Sequence, residues 1–405
     1  MQCVILVGGL GTRLGGLTAA RPKPMLDVAG RPFLERLIDN AARFGADRFL
    51  LLAGYLADVV RAHFPNGVYS ANGRTVSIDI MQEPQPLGTG GALRFARDRL
   101  AGRFLMLNGD SMFAFNWLDL VVAPLDGAAV GRLALRTVPN AARYGVVRAD
   151  ADGRVASMRQ DSAHTGPGDI NGGVYWLDRA ILDYIDADGF VSLENDVFPR
   201  VIADGRLRAR RYDGFFIDIG VPDDYARAQD PRLYGRGAIF FDRDGVLNAD
   251  TDYVHTVEQF RWLEGAREAI RLANDRDLFA FVVTNQAGVA HGLYAEAHVR
   301  ALHRAMQAEL RPLGAHIDDF RYCPHHPQGK VGIYRRQCDW RKPEPGMARD
   351  LCAHWPVDLS ASLLIGDKDS DIAVADALGM RSLRLERDHP GVDLAGALRR
   401  ALDGA

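Results

Sequence analysis

A chain of 405 residues exceeds what one ordinary core can fill, so two or three domains are expected. With 47% hydrophobic residues, 25% charged residues and a formal net charge of −3, it reads as a globular chain without the basic surplus of a nucleic-acid binder. Four cysteines exclude a disulfide scaffold, no run approaches the about 20 apolar residues of a membrane span, and MQCVILVGG lacks a basic leader, so a cytoplasmic protein with no membrane partner is expected.

Strand and helix patterns alternate from the start. Cys3 to Val7 is a short apolar run before a glycine-rich loop. Phe33 to Phe44 has helical periodicity, Arg48 to Ala53 reads as a strand and Leu56 to Phe64 as a helix. Val76 to Met81, Ala92 to Leu100 and Arg103 to Leu107 repeat strand, helix, strand. This alternation predicts a mostly parallel sheet with helices on both faces. From Asp230, DPRLYGRG has no periodicity and reads as a linker. At Ala238 the pattern restarts with AIFFD, followed by a helix over Leu263 to Asn274 and a strand over Phe279 to Val283. A long helix over Glu296 to Leu310 and a late strand over Ser362 to Ile365 complete it. The expected fold class is α/β, with two doubly wound, mostly parallel-sheet domains at 1–232 and 238–405 and a linker at 233–237.

The first chemical motif is GGLGTRL, in which Gly8, Gly9, Gly11 and Thr12 follow the first strand. Glycines let backbone amides approach a polyphosphate, and Arg13 with Lys23 of RPKPM adds positive charge where pyrophosphate leaves. This loop and the PKP element after it resemble the sugar-phosphate nucleotidyltransferases. EPQPLGTGGAL at Glu83 to Leu93, LNGD at Leu107 to Asp110 and FFIDIGVPDDY at Phe215 to Tyr225 extend the resemblance over roughly the first 230 residues. It implies a Rossmann-like domain that binds magnesium through Asp110 and Asp218 and places Glu83 and Gly88 at the base. Tyr144 and Gly145 of YGVV, with Asn171 and Gly172 of NGGVY, are implied to face the sugar. The implied reaction is in-line attack of a sugar-phosphate oxygen on the α-phosphorus. A carboxylate only accepts, and guanine offers two adjacent donors, so Glu83 favours GTP. One departure stands out: many relatives carry a Glu-Lys pair where this chain has Met158-Arg159-Gln160-Asp161, which leaves Arg159 as the replacement cation.

In the second half, FFDRDGVLN, TNQAG, RKPEPGM and IGDKDSDI occur in an order that resembles the haloacid dehalogenase superfamily of phosphatases, over about residues 238 to 390. The resemblance implies that Asp242 is the nucleophile and Asp244 the general acid and then base. It implies a magnesium site of Asp242, Asp367 and the Asp244 carbonyl, with Thr284 and Lys342 on the phosphoryl oxygens. CPHHPQGK and CDWRK are similar to the heptose bisphosphate and histidinol phosphatase branch, whose members bind structural zinc through cysteines and a histidine. Cys323, His325 and Cys338 fill three of those positions, and Trp340 stands in the fourth. Either His326 or water completes a zinc site, or the metal is gone and Trp340 packs the loop. Asp250, Tyr253, Thr284, Asn285 and Gln286 fall where the branch meets its sugar, and Arg341 beside Lys342 falls at the distal phosphate.

Removing the 7-phosphate of a heptose 1,7-bisphosphate leaves the 1-phosphate that a nucleotidyltransferase accepts. The two resemblances together imply a bifunctional enzyme acting on a phosphorylated heptose and a nucleoside triphosphate, with magnesium in both halves; a homo-oligomer is compatible. Competing expectations are a mannose or other hexose 1-phosphate nucleotidyltransferase using UTP or CTP, a histidinol-phosphatase-like partner, or a non-catalytic sugar-nucleotide sensor in the first half. Retention of Arg13, Lys23, Asp110 and Asp218 speaks against the sensor.

Overall fold

The first apolar run forms Gln2–Leu6 (β1), inside an eight-stranded sheet of the computed structural model, which describes all residues except 10, 143, 160–165, 187–188 and 405. The other strands are Arg48–Ala53 (β2), Val68–Ala71 (β3), Arg74–Gln82 (β4), Arg103–Asn108 (β5), Gly131–Val138 (β6), Gly168–Asp178 (β7) and Leu207–Arg211 (β8), in the order β8-β6-β7-β5-β1-β2-β4-β3. β1, β2, β4 and β5 run parallel; β1, β2 and β5 are buried on both faces and so read as apolar runs, whereas β4 alternates buried and exposed residues. β7 is antiparallel to both neighbours, and β3 to β4. The β3–β4 hairpin turns at Asn72 and Gly73, both with positive φ. The helix Phe33–Arg43 buries Phe33, Leu34, Leu37, Ile38 and Ala41 and stops before Gly45, whose φ of 86° ends it.

The chain divides into two units, Met1–Leu233 and Tyr234–Ala405. Arg236 hydrogen-bonds through its backbone to Pro356 and Asp358, so the end of the segment read as a linker is part of the second unit. There Ala238–Phe241 (β9), Phe279–Asn285 (β10), Asp319–Cys323 (β11), Leu363–Gly366 (β12) and Arg381–Arg384 (β13) form a parallel sheet ordered β11-β10-β9-β12-β13. Alternate residues of β9 serve opposite cores: Ile239 and Phe241 join Val282 and Ile365, whereas Ala238 and Phe240 join Phe281 and Leu364. Both faces are therefore covered, as the sequence predicts. The carboxyl ends of β1 and β5 deliver the glycine loop and Asp110, and those of β9, β10 and β12 deliver Asp242, Thr284 and Asp367. Crevices at strand carboxyl ends are where such sheets bind ligands. No helix among the described residues is long and apolar enough to cross a membrane.

Candidate active sites

In the first unit the glycines are fixed by close approach. A Cβ on Gly8 would lie 2.9 Å from Glu83 Oε1, and one on Gly109 would lie 2.2 Å from the Leu6 carbonyl. Gly88 has φ 70°, and a Cβ there would meet the Val191 carbonyl at 2.6 Å. Lys23 Nζ lies 2.8 Å from Asp110 Oδ2. A short ribbon pairs Phe216–Asp218 with Ser111–Phe113, setting Asp218 opposite Ser111, and the Ile219 N–H donates to the Asp110 carbonyl at 2.9 Å. The ribbon thus brings the two acids together from distant parts of the chain. Asp218 Oδ1 and Lys23 Nζ also flank one point, 2.8 and 3.2 Å from where a Gly220 Cβ would stand.

A cavity of about 230 Å³ is lined by Gly9, Lys23, Asn108, Asp110, Tyr175 and Glu194, among others. Asn171 donates to Glu194 Oε1 and to the Tyr175 hydroxyl, each at 2.7 Å. Glu194 sits on a π-helical turn, Leu193–Val197, and burial raises its carboxyl above the usual range. Gly172 packs on Phe113, where a Cβ would be 2.5 Å from the ring. Tyr144 and Asp218 line a neighbouring cavity of about 500 Å³ with Arg136 and Arg227, and Gly145 takes φ 81° beside it. Arg13 is exposed at the start of the Thr12–Thr18 turn. Gln160, Asp161 and the side chains of Thr12 and Arg159 lie outside the described residues.

In the second unit, carboxylate oxygens of Asp242, Asp367 and Asp371 lie within 4.8 Å of one another, all buried. Two glycines make room for them. A Cβ on Gly245 would be 2.7 Å from Asp367 Oδ2, and one on Gly366 would be 2.6 Å from Asp371 Oδ2. Lys342 Nζ reaches Asp242 Oδ1 at 2.7 Å and Asp371 Oδ1 at 2.6 Å. Burial lifts the Asp242 carboxyl to about 7 despite Lys342, with Asp371 and Asp244 adding to the rise, and burial also raises Asp367. Asp367 Oδ1 is buried and makes no hydrogen bond among the described residues. Converging, under-compensated oxygen donors of this kind fit a hard divalent cation.

The remaining expected residues divide. Asp250 is held by Arg387 at 2.9 Å and Lys368 at 3.5 Å, and Lys368 also reaches Asp367. Tyr253 is exposed, with its ring 6.3 Å from His291, and Arg341 donates to the His325 carbonyl. Asn285 and Gln286, expected near a sugar, both make hydrogen bonds within the protein. Asn285 exchanges two hydrogen bonds of 3.1 Å with the Lys342 backbone, which fixes the lysine, and Gln286 is 1% exposed with its amide bonded inside the protein.

A Nucleotidyl transferase family model matches residues 2–233. The chain belongs to the nucleotidyl transferase family. This transferase unit is 33% identical over 230 residues to D-glycero-alpha-D-manno-heptose 1-phosphate guanylyltransferase of Aneurinibacillus thermoaerophilus, covering 56% of the chain and 97% of that relative. It is also similar to the crystal structure of HddC from Yersinia pseudotuberculosis, with 34% identity and a TM-score of 0.50, covering 56% of the chain and 98% of HddC. HddC has also been solved complexed with GMP-PN. Beyond the transferase unit, a HAD-hydrolase-like model matches residues 339–391. The second half is 50% identical over 151 residues to D-glycero-beta-D-manno-heptose-1,7-bisphosphate 7-phosphatase of Rhodopseudomonas palustris, covering 37% of the chain and 84% of that relative. This nucleotidyl transferase is therefore bifunctional, carrying a phosphatase on the same polypeptide.

Cys323, His325 and Cys338 also converge, with ligand atoms within 4.8 Å of one another. Among the described residues no fourth Cys, His, Asp or Glu joins that group. The His326 ring lies 4.9 Å from His291, and Trp340 packs on the core around Phe281 and Met347 while its backbone N–H donates to Cys338 Sγ at 3.4 Å. Two thiols and an imidazole suit zinc, but they do not close a structural site by themselves. Dialysis against EDTA is expected to strip zinc from the wild-type chain and to leave about one zinc per chain in Trp340→Cys, by metal analysis. Equal retention in both would contradict this.

Proposed function

We propose that the second unit removes the 7-phosphate of a D-glycero-D-manno-heptose 1,7-bisphosphate and that the first unit transfers a guanylyl group from GTP to the resulting 1-phosphate. The observation that carries this reading is that a relative named for removing the 7-phosphate of a D-glycero-D-manno-heptose bisphosphate and one named for guanylylating a D-glycero-D-manno-heptose 1-phosphate match adjoining parts of one chain, each over most of its own length. The converging acids of each unit support it. At the phosphatase site Asp242 attacks the phosphorus, forming an aspartyl phosphate as the bond to the sugar oxygen breaks; Lys342 and Thr284 hold the phosphoryl oxygens, and Asp244 passes a proton to the departing sugar oxygen and later takes one from the water that hydrolyses the aspartyl phosphate. At the transferase site Lys23 and the glycine loop hold the triphosphate while the sugar phosphate attacks in line.

Magnesium would be held by Asp242, Asp367 and the Asp244 carbonyl in one unit, with the Asp371 carboxylate in the same cluster, and by Asp110 and Asp218 in the other; it would supply charge neutralisation for the phosphoryl oxygens. GTP is favoured because Glu83, whose Oε2 accepts from the Leu87 N–H at 3.0 Å, offers acceptors only, matching the adjacent donors of guanine. The relative named a guanylyltransferase and the GMP-PN complex of HddC point the same way. The relatives' names differ in anomer, β for the phosphatases and α for the guanylyltransferase, whereas consecutive action on one chain requires a single anomer.

The test supplies each anomer of heptose 1-phosphate with GTP, UTP, CTP, dTTP or ATP and follows pyrophosphate. GTP is expected to exceed the others in kcat/KM by about 100-fold, as hydrogen-bond mismatches in a built pocket allow. Preference for another nucleotide would overturn the assignment of the base.

A further inference from the structure

Arg243, between the two aspartates of DRD, is 0% exposed, an extreme placement for a guanidinium. Its Nε and Nη2 reach Asp244 Oδ1 at 3.1 and 2.8 Å, and Nη2 also reaches Asp244 Oδ2 at 2.9 Å and the Val254 carbonyl at 2.6 Å. Stability is a poor reason for such an arrangement, because a buried ion pair is often no better than an apolar replacement of similar size. What the pair does provide is orientation. A forked guanidinium fixes the plane of the carboxylate it holds.

A second buried group acts on the same carboxylate. Gln286 Nε2 donates to Asp244 Oδ2 at 2.9 Å and to Thr284 Oγ1 at 3.0 Å, while Gln286 Oε1 accepts from the Tyr294 hydroxyl at 2.7 Å. The Tyr294 donor sets the amide's orientation, so the nitrogen must face Asp244 and Thr284. One amide thereby ties the carboxylate assigned to proton transfer to the hydroxyl assigned to the phosphoryl oxygens. Asn248 completes the set, donating to Asp244 Oδ1 at 3.1 Å. Behind Arg243, His303 stacks on Phe320, and burial together with the guanidinium charge keeps its ring neutral, so no second cation opposes the clamp.

We propose that Arg243 and Gln286 are positioning residues that hold Asp244 in register with Thr284 for proton transfer to the leaving alcohol. The proposal rests on the phosphatase reading of this unit. Proton donation matters for a sugar alcohol and not for a leaving group that departs as a stable anion, so the two kinds of substrate separate positioning from general damage.

The experiment compares kcat/KM for heptose 1,7-bisphosphate and for acetyl phosphate, whose carboxylate leaves without a proton, in the full chain with magnesium. Gln286→Leu is expected to lose about 100-fold on the sugar phosphate and less than about threefold on acetyl phosphate; Tyr294→Phe, which frees the amide, is expected to lose about 10-fold on the sugar phosphate alone. Arg243→Lys, keeping the charge without the fork, is expected to behave as Gln286→Leu does. Equal losses on both substrates would overturn the proposal, as would a crystal structure of folded Gln286→Leu with the Asp244 carboxylate unmoved. A wild-type chain that cleaves neither substrate would instead overturn the phosphatase reading and the proposal with it.

Discussion

Asp242→Asn is expected to lower phosphate release from heptose 1,7-bisphosphate by at least about 1,000-fold while leaving pyrophosphate formation from heptose 1-phosphate within about twofold. The asparagine keeps the shape of the side chain at the end of β9 but removes the nucleophilic oxygen. It also removes one of the two acids that hold Lys342, whose other partner is Asp371. Lys342 then stays anchored by Asp371 and by the Asn285 backbone exchange, so the fold around it should survive. The sparing of the other activity follows from the separate cores of the two units. Parallel phosphate and pyrophosphate assays on one preparation read both numbers. Loss of both activities together would mean that the units do not work independently.

Asp110→Asn is expected to give the mirror image, with pyrophosphate formation falling by at least about 100-fold and phosphate release unchanged. Asp110 carries two duties in the geometry: it is the ion-pair partner of Lys23, and its backbone carbonyl joins it to the strand that ends in Asp218. The substitution leaves the backbone bond and the ribbon intact, so the loss reads the carboxylate alone. Lys23→Met should fall by a similar factor, because the unbalanced charge lies where the triphosphate is held. Retained pyrophosphate formation in Asp110→Asn would remove Asp110 from the catalytic set.

Much of this was legible in the chain. β2 matches its apolar run residue for residue, as does the helix Glu296–Leu310, because a run buried on both faces and a regular amphipathic repeat are strong local signals. The expected strands include β4 but not β3, the first strand of the hairpin, although Asn72-Gly73 is a turn signal; β3 alternates weakly, and Val68 is exposed. Glu194 carries no motif, and only the fold brings it to Asn171 and Tyr175. Asp371 belongs to IGDKDSDI but lies in the first turn of the helix Asp369–Leu378, and its return to Asp242 depends on the bare Gly366 beneath it. Arg243 reads as an ordinary charged residue in sequence. Burial alone reveals it. The family resemblance sets Asn285 and Gln286 near a sugar, and no sequence signal marks the bonds their amides make to the Lys342 backbone and to Asp244.

The most direct measurement supplies heptose 1,7-bisphosphate, magnesium and GTP to the wild-type chain and follows phosphate and pyrophosphate in time. Phosphate should appear first, pyrophosphate should follow after a lag, and the two should reach one equivalent each per sugar. Pyrophosphate without prior phosphate, or phosphate with no pyrophosphate from either anomer, would contradict consecutive catalysis by the two units.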